Sequence, residues 1–157
     1  MKYRVLILVL CSCIAFQCQQ KEAKGHFSFE KSEKTERVQA TKIIDLENKG
    51  VGPIESIDLG KEIDAKMAGL GKALYEEKCS SCHKVGTTFI GPPPNGILKR
   101  RTPEWVMNMM LNPEEMLQKD PLAKALFMEF NGQLMTNQNV SEEEARAILE
   151  YFRTLGA

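Results

Sequence analysis

Histidine is scarce in this chain. Only His26 and His83 occur in 157 residues, and past His83 there is neither histidine nor cysteine. A Cys-x-x-Cys zinc half-site therefore has no second ligand pair downstream. Net charge is also missing, with 21 Lys and Arg balanced by 21 Asp and Glu, so no broad field favours nucleic acid or an anionic membrane. No apolar run reaches the roughly 20 residues of a membrane-spanning helix. With 27% charged and 43% hydrophobic residues, the composition is that of one globular domain with appendages.

Against these absences stands one dense motif, Cys79-Ser80-Ser81-Cys82-His83. Two thiols three positions apart with a histidine directly behind have the spacing of a c-type haem attachment site. Each thiol adds across one haem vinyl group, and the next residue then falls under the iron. A neutral imidazole nitrogen of His83 can fill one axial position. A thioredoxin-like dithiol or a metal clip is the competing reading. The dithiol prefers a strand-then-helix context that the residues before Cys79 do not offer.

The five cysteines fall into two groups, with Cys11, Cys13 and Cys18 near the N-terminus. Met1-Lys2-Tyr3-Arg4 precedes an apolar run from Val5 to Leu10 that continues in small and apolar residues to Phe16. This predicts an export signal over 1–17. Cys18, followed at once by polar Gln19-Gln20-Lys21-Glu22, is the expected acylated residue of a lipoprotein; Cys13, preceded by Leu10 and Ser12, is the alternative. The expected location is periplasmic, with a lipid anchor in the membrane. From Lys21 to about Ala40 the composition is that of a tether, where His26 reads as a solvated side chain and not as an iron ligand. Between Thr41 and Gly60 the pattern predicts extended or turn structure on the domain surface, with a short strand pair as the weaker option. The expected organisation is signal 1–17, tether and arm 18–60, and haem domain 61–157.

Helical spacing dominates the rest. Ile63, Met67, Leu70, Leu74 and Tyr75 predict a helix running up to Cys79, with Gly69 and Gly71 blurring its start. Thr102-Pro103-Glu104 opens a helix that carries Trp105, Val106, Met109 and Met110 and ends near Leu111, because Pro113 follows. Trp105 itself reads as a core or haem-edge residue. Another helix runs from about Pro121 to Phe130. The clearest begins at Ser141, an N-cap with Glu144 at N3. The fold class is all-α.

In this order the parts resemble the class I cytochrome c family, from about Gly69 to the C-terminus. Gly71-Lys72-Ala73-Leu74-Tyr75 leads into Cys79, Gly91-Pro92 follows the haem histidine, Asn112-Pro113 closes the helix at the haem edge, and Tyr151 sits in the last helix. The resemblance implies three to five helices around one covalent haem c, with an extended N-terminal arm. It also implies that the first and last helices cross at Gly71, with Tyr75 packed on Ile148 and Tyr151. It places the Pro92 carbonyl as acceptor for the second ring nitrogen of His83. A proline offers that carbonyl without a competing N–H.

Several methionines compete for the second axial position. Met107, Met109, Met110 and Met128 lie in predicted helices, where methionine packs. Met116, after Pro113, and Met135, in the non-helical stretch from Asn131 to Val140, remain; Met135 stands where the family's ligand does. In Lys99-Arg100-Arg101, one arginine could pair with a haem propionate, or the trio could form a solvated patch or a docking surface. With His83 and Met135 on the iron, the chain is expected to be a monomeric electron carrier and not an enzyme. Its partners are redox proteins, with no nucleic acid and no small-molecule substrate. It would run between a quinol-oxidising complex and a terminal reductase or oxidase. Arg100-Arg101-Thr102-Pro103-Glu104-Trp105, Asn112-Pro113-Glu114-Glu115-Met116 and Leu134-Met135-Thr136-Asn137-Gln138 resemble the small cytochromes that accompany nitrous-oxide reductase in some bacteria. Two other readings stay open: a haem enzyme or gas sensor with a free axial site, and a haem-free lipoprotein with a Cys79–Cys82 disulfide or metal clip.

Overall fold

A computed structural model describes residues 39–156. The expected signal, Cys13, Cys18, the tether and His26 lie outside them. Five helices follow in order: α1 (Ala65–Lys78), α2 (Pro103–Leu111), α3 (Pro113–Lys119), α4 (Pro121–Glu129) and α5 (Glu142–Thr154), with 3-10 turns at Ala40–Lys42 and Ile97–Lys99. Among the described residues there is no strand, only isolated bridges such as Asp45 with Arg101. The all-α expectation is met, and the strand pair in the arm is not formed.

Side-chain caps set most helix starts. Asp64 accepts from the Met67 N–H, Thr102 from Trp105 and Asp120 from Ala123. Ser141 and Glu144 form a reciprocal capping box, leaving fewer first-turn donors unpaired. The short helix α3 departs from the expected loop after Pro113. Asn112 ends α2 and precedes Pro113, whose fixed φ suits a first helical position, while Glu114 and Glu115 favour the first turn.

Helices α1 and α5 form the main crossing. A Cβ at Gly71 would come 2.8 Å from the Ile148 amide nitrogen and closer still to the Ala147 carbonyl oxygen, so only glycine permits this approach. One turn further on, Tyr75 stacks obliquely on Tyr151 at 5.4 Å and edge-on to Phe152 at 5.7 Å. Trp105, Met107, Ile148 and Leu149 fill the core between α2 and α5.

Residues 39–64 do more than rest on the surface. Ala40 is fully buried in the core cluster, and side chains of the helical domain bond the arm's backbone. Asn108 donates to the Lys49 and Ile54 carbonyls and accepts from the Ile54 amide. Thr102 donates to the Asn48 carbonyl, and Glu129 accepts from the Thr41 amide and hydroxyl. Arg153 donates to carbonyls of Leu59, Gly60, Lys61 and Glu62. Hydropathy could not forecast this, because the bonds join polar side chains to backbone groups.

Candidate functional site

Helix α1 ends at the attachment motif, and Cys79 is its C-cap, with its amide donating to the Tyr75 carbonyl. The His83 amide donates to the Cys79 carbonyl at 2.9 Å, closing a turn that sets both thiols and the imidazole on one side. The Tyr75 hydroxyl donates to the His83 carbonyl at 2.6 Å, so the crossing of α1 and α5 also holds the loop. Burial, with small additions from Cys79 and Tyr151, pushes the Tyr75 hydroxyl up to about 12, so it stays a donor.

The imidazole is fixed from two sides. His83 Nδ1 lies 2.8 Å from the Pro92 carbonyl oxygen. A carbonyl only accepts, so Nδ1 carries the proton and Nε2 keeps its lone pair for a metal. Gly91 lies against the ring: a Cβ there would stand 2.8 Å from Nδ1 and closer to Cε1. The Gly91 amide donates to the Cys82 carbonyl at 3.0 Å, tying this contact to the motif. The sequence shows a glycine eight residues behind the histidine, but not that the ring lies against it.

Cys79, Cys82 and His83 open onto an apolar cleft that Trp105, Met109 and Met110 of α2 also line. It is open to solvent on one side, and its wall is mostly apolar. Two thiols, an imidazole and an apolar wall are the groups a covalently held haem needs. Met135 lines this cleft, and Met116 does not. Met116 is instead fully buried in α3, with its sulfur 2.9 Å from the Val51 amide. Met107 is core, as expected, whereas Met128 is two-thirds exposed on α4.

The donor chemistry also suits haem better than a thiolate metal. Burial pushes the Cys79 thiol up to about 11, with Lys78 opposing and Cys82 adding, so it rests as a neutral thiol. Among the described residues no group of three or more His, Cys, Asp or Glu could hold a metal ion. Arg101 is buried, which corrects the solvated-patch option for it, and its Nε is a buried nitrogen without a hydrogen-bond partner. Such an orphaned donor at the cleft suits an anionic group there.

Residues 68–156 match the Cytochrome c family. No curated protein matches the sequence. Among solved structures the chain is similar to cytochrome c from Rhodothermus marinus, at 45% identity and a TM-score of 0.65 over 67% of this chain and 90% of that one. An engineered form of that cytochrome matches at 44% identity and a TM-score of 0.64, and the same engineered form bound to a carbene intermediate at 43% and 0.62, with equal coverage. The chain belongs to the cytochrome c family and is an electron carrier with one covalently bound haem c.

Proposed function

We propose that Cys79 and Cys82 hold the haem as thioethers, that His83 Nε2 and the Met135 sulfur are its axial ligands, and that the Pro92 carbonyl fixes the His83 tautomer. One observation carries this reading: the 2.8 Å Nδ1 to Pro92 contact leaves Nε2 free on the cleft that Met135 also lines. The haem supplies one-electron Fe(III)/Fe(II) chemistry. The chain's own part is to keep the ring in place, to surround it with apolar side chains, and to close both faces against substrate. A thioether ligand and a dry cleft both favour the reduced form.

The N-terminal sequence supports export and acylation at Cys18, with Cys13 as the alternative. The tether would then confine the domain near membrane complexes and raise its effective concentration for redox partners. A quinol-oxidising complex is the donor in this reading. A terminal oxidase or a periplasmic reductase is the acceptor, with nitrous-oxide reductase the candidate that the Arg100–Trp105 and Leu134–Gln138 segments suggest. A free axial site, as in a haem enzyme or sensor, is the second reading. The hydrogen bonds of Gln133, Gln138 and Asn139 around Met135 stay within three residues, and from 131 to 139 every residue but Met135 is exposed, which favours this second reading. A denaturing gel stained for haem tests the attachment: the band should survive in wild type and vanish in the Cys79→Ala, Cys82→Ala double variant. A band that persists in the double variant overturns it.

A further inference from the structure

Arg101 occupies an unusual place. The residue is 2% exposed, yet among the described residues no carboxylate lies within ion-pair distance. Nη1 donates to the Ile43 and Arg100 carbonyls and Nη2 to the Ala40 carbonyl at 2.7 Å, while Nε has no partner. The guanidinium carbon stands 5.4 Å from the Trp105 ring centroid. Ala40 and Ile43 belong to the arm, which precedes the residues matched to the family. Thr41 lines the cleft from the same segment, together with Arg100 and Arg101.

A buried cation whose carboxylates, Asp45, Asp120 and Glu129, act only from beyond ion-pair distance is costly. Here one guanidinium serves two purposes, because its Nη groups hold the arm and the same residue borders the haem site. We propose that the arm is a cover over the cleft edge at Arg101 and that Arg101 is the positioning residue joining its docking to the redox centre. The inference rests on the haem reading above. With the arm docked, the positive charge stays dry and close to the cleft, where it favours the reduced state, which carries one positive charge less. Lifting the arm admits water to this edge, screens Arg101 and favours the oxidised state. Both changes lower the potential.

Asn108 allows a clean test, because it bonds the arm at Lys49 and Ile54, carries no charge and does not line the cleft. The haem-loaded full chain is compared as wild type, Asn108→Ala and Arg101→Gln, by amide hydrogen exchange across residues 40–54 and by redox titration. The expected result is faster exchange in the arm and a lower potential in both variants. Faster exchange in Asn108→Ala with an unchanged potential would make the arm a structural strap only and overturn the proposal. A lower potential in Arg101→Gln with unchanged arm exchange would overturn the role of Arg101 as the joint. If Arg101→Gln fails to fold, Asn108→Ala alone decides whether the arm governs the potential. The Met–iron band is recorded in every sample, so a loss of axial ligation is read separately from a failure of this coupling.

Discussion

Gly71 on α1 faces the Ala147 carbonyl on α5 with no room for a side chain between them. That contact sets the height at which Tyr75 meets Tyr151 and Phe152, and Tyr75 in turn holds the His83 carbonyl. The helix crossing and the attachment loop are therefore one mechanical unit.

Gly71→Ala should force the helices apart. The added methyl meets backbone and not a flexible side-chain tip, so the loss should reach or exceed the about 1–3 kcal/mol typical of overpacking. Guanidinium unfolding of the haem-loaded protein should show a lower midpoint with a similar slope.

Gly91→Ala acts on the imidazole and not on the fold at large. The new Cβ would press on the His83 ring, and the Gly91 amide bond to Cys82 restricts retreat of the backbone. Haem stain on a denaturing gel should be unchanged, because the thioethers do not depend on the ring. The oxidised spectrum should gain a high-spin component as the Nε2 position degrades.

Tyr75→Phe removes one hydrogen bond and keeps the ring. The cost should be about 1 kcal/mol, measured by thermal or denaturant unfolding, with attachment and spectrum unchanged.

Acid should unfasten the arm's junction with α5. Glu150 is fully buried, and burial alone would raise its carboxyl. Hydrogen bonds from Arg146 and the Asp64 amide, and the charges of Arg146 and Arg153, outweigh this and hold it below the ordinary glutamate value. A carboxyl lowered in the folded state contributes stability that is fully present above its unfolded pKa, about 4.5, and is lost as pH falls through the lower folded value. Glu150→Gln should cost about 3 kcal/mol at neutral pH by depriving Arg146 and Arg153 of their buried carboxylate. Its unfolding midpoint should then fall less steeply than wild type below about pH 4.5.

Much of this was legible in the sequence, where local chemistry decides the outcome. Ser141 with Glu144 announced α5, Thr102-Pro103 announced α2, and the Cys79 to His83 spacing announced the cofactor. The Gly71 crossing came from family resemblance, since the sequence alone shows apolar faces without partners. What escaped was long-range and polar. Nothing in the pattern shows that Asn108, Arg101 and Arg153 bind backbone carbonyls 59 to 94 residues away. Met116 was misplaced because Pro113 reads as a helix stop, although Pro is equally at home starting a helix.

The weak long-wavelength Met–iron band of the oxidised protein tests the axial assignment most directly. Met109 and Met110 share the cleft with Met135, so alanine variants of all three should be compared with wild type. The account predicts the band in wild type, Met109→Ala and Met110→Ala, and its loss in Met135→Ala. A band that survives in Met135→Ala, or that is absent from wild type, would contradict it.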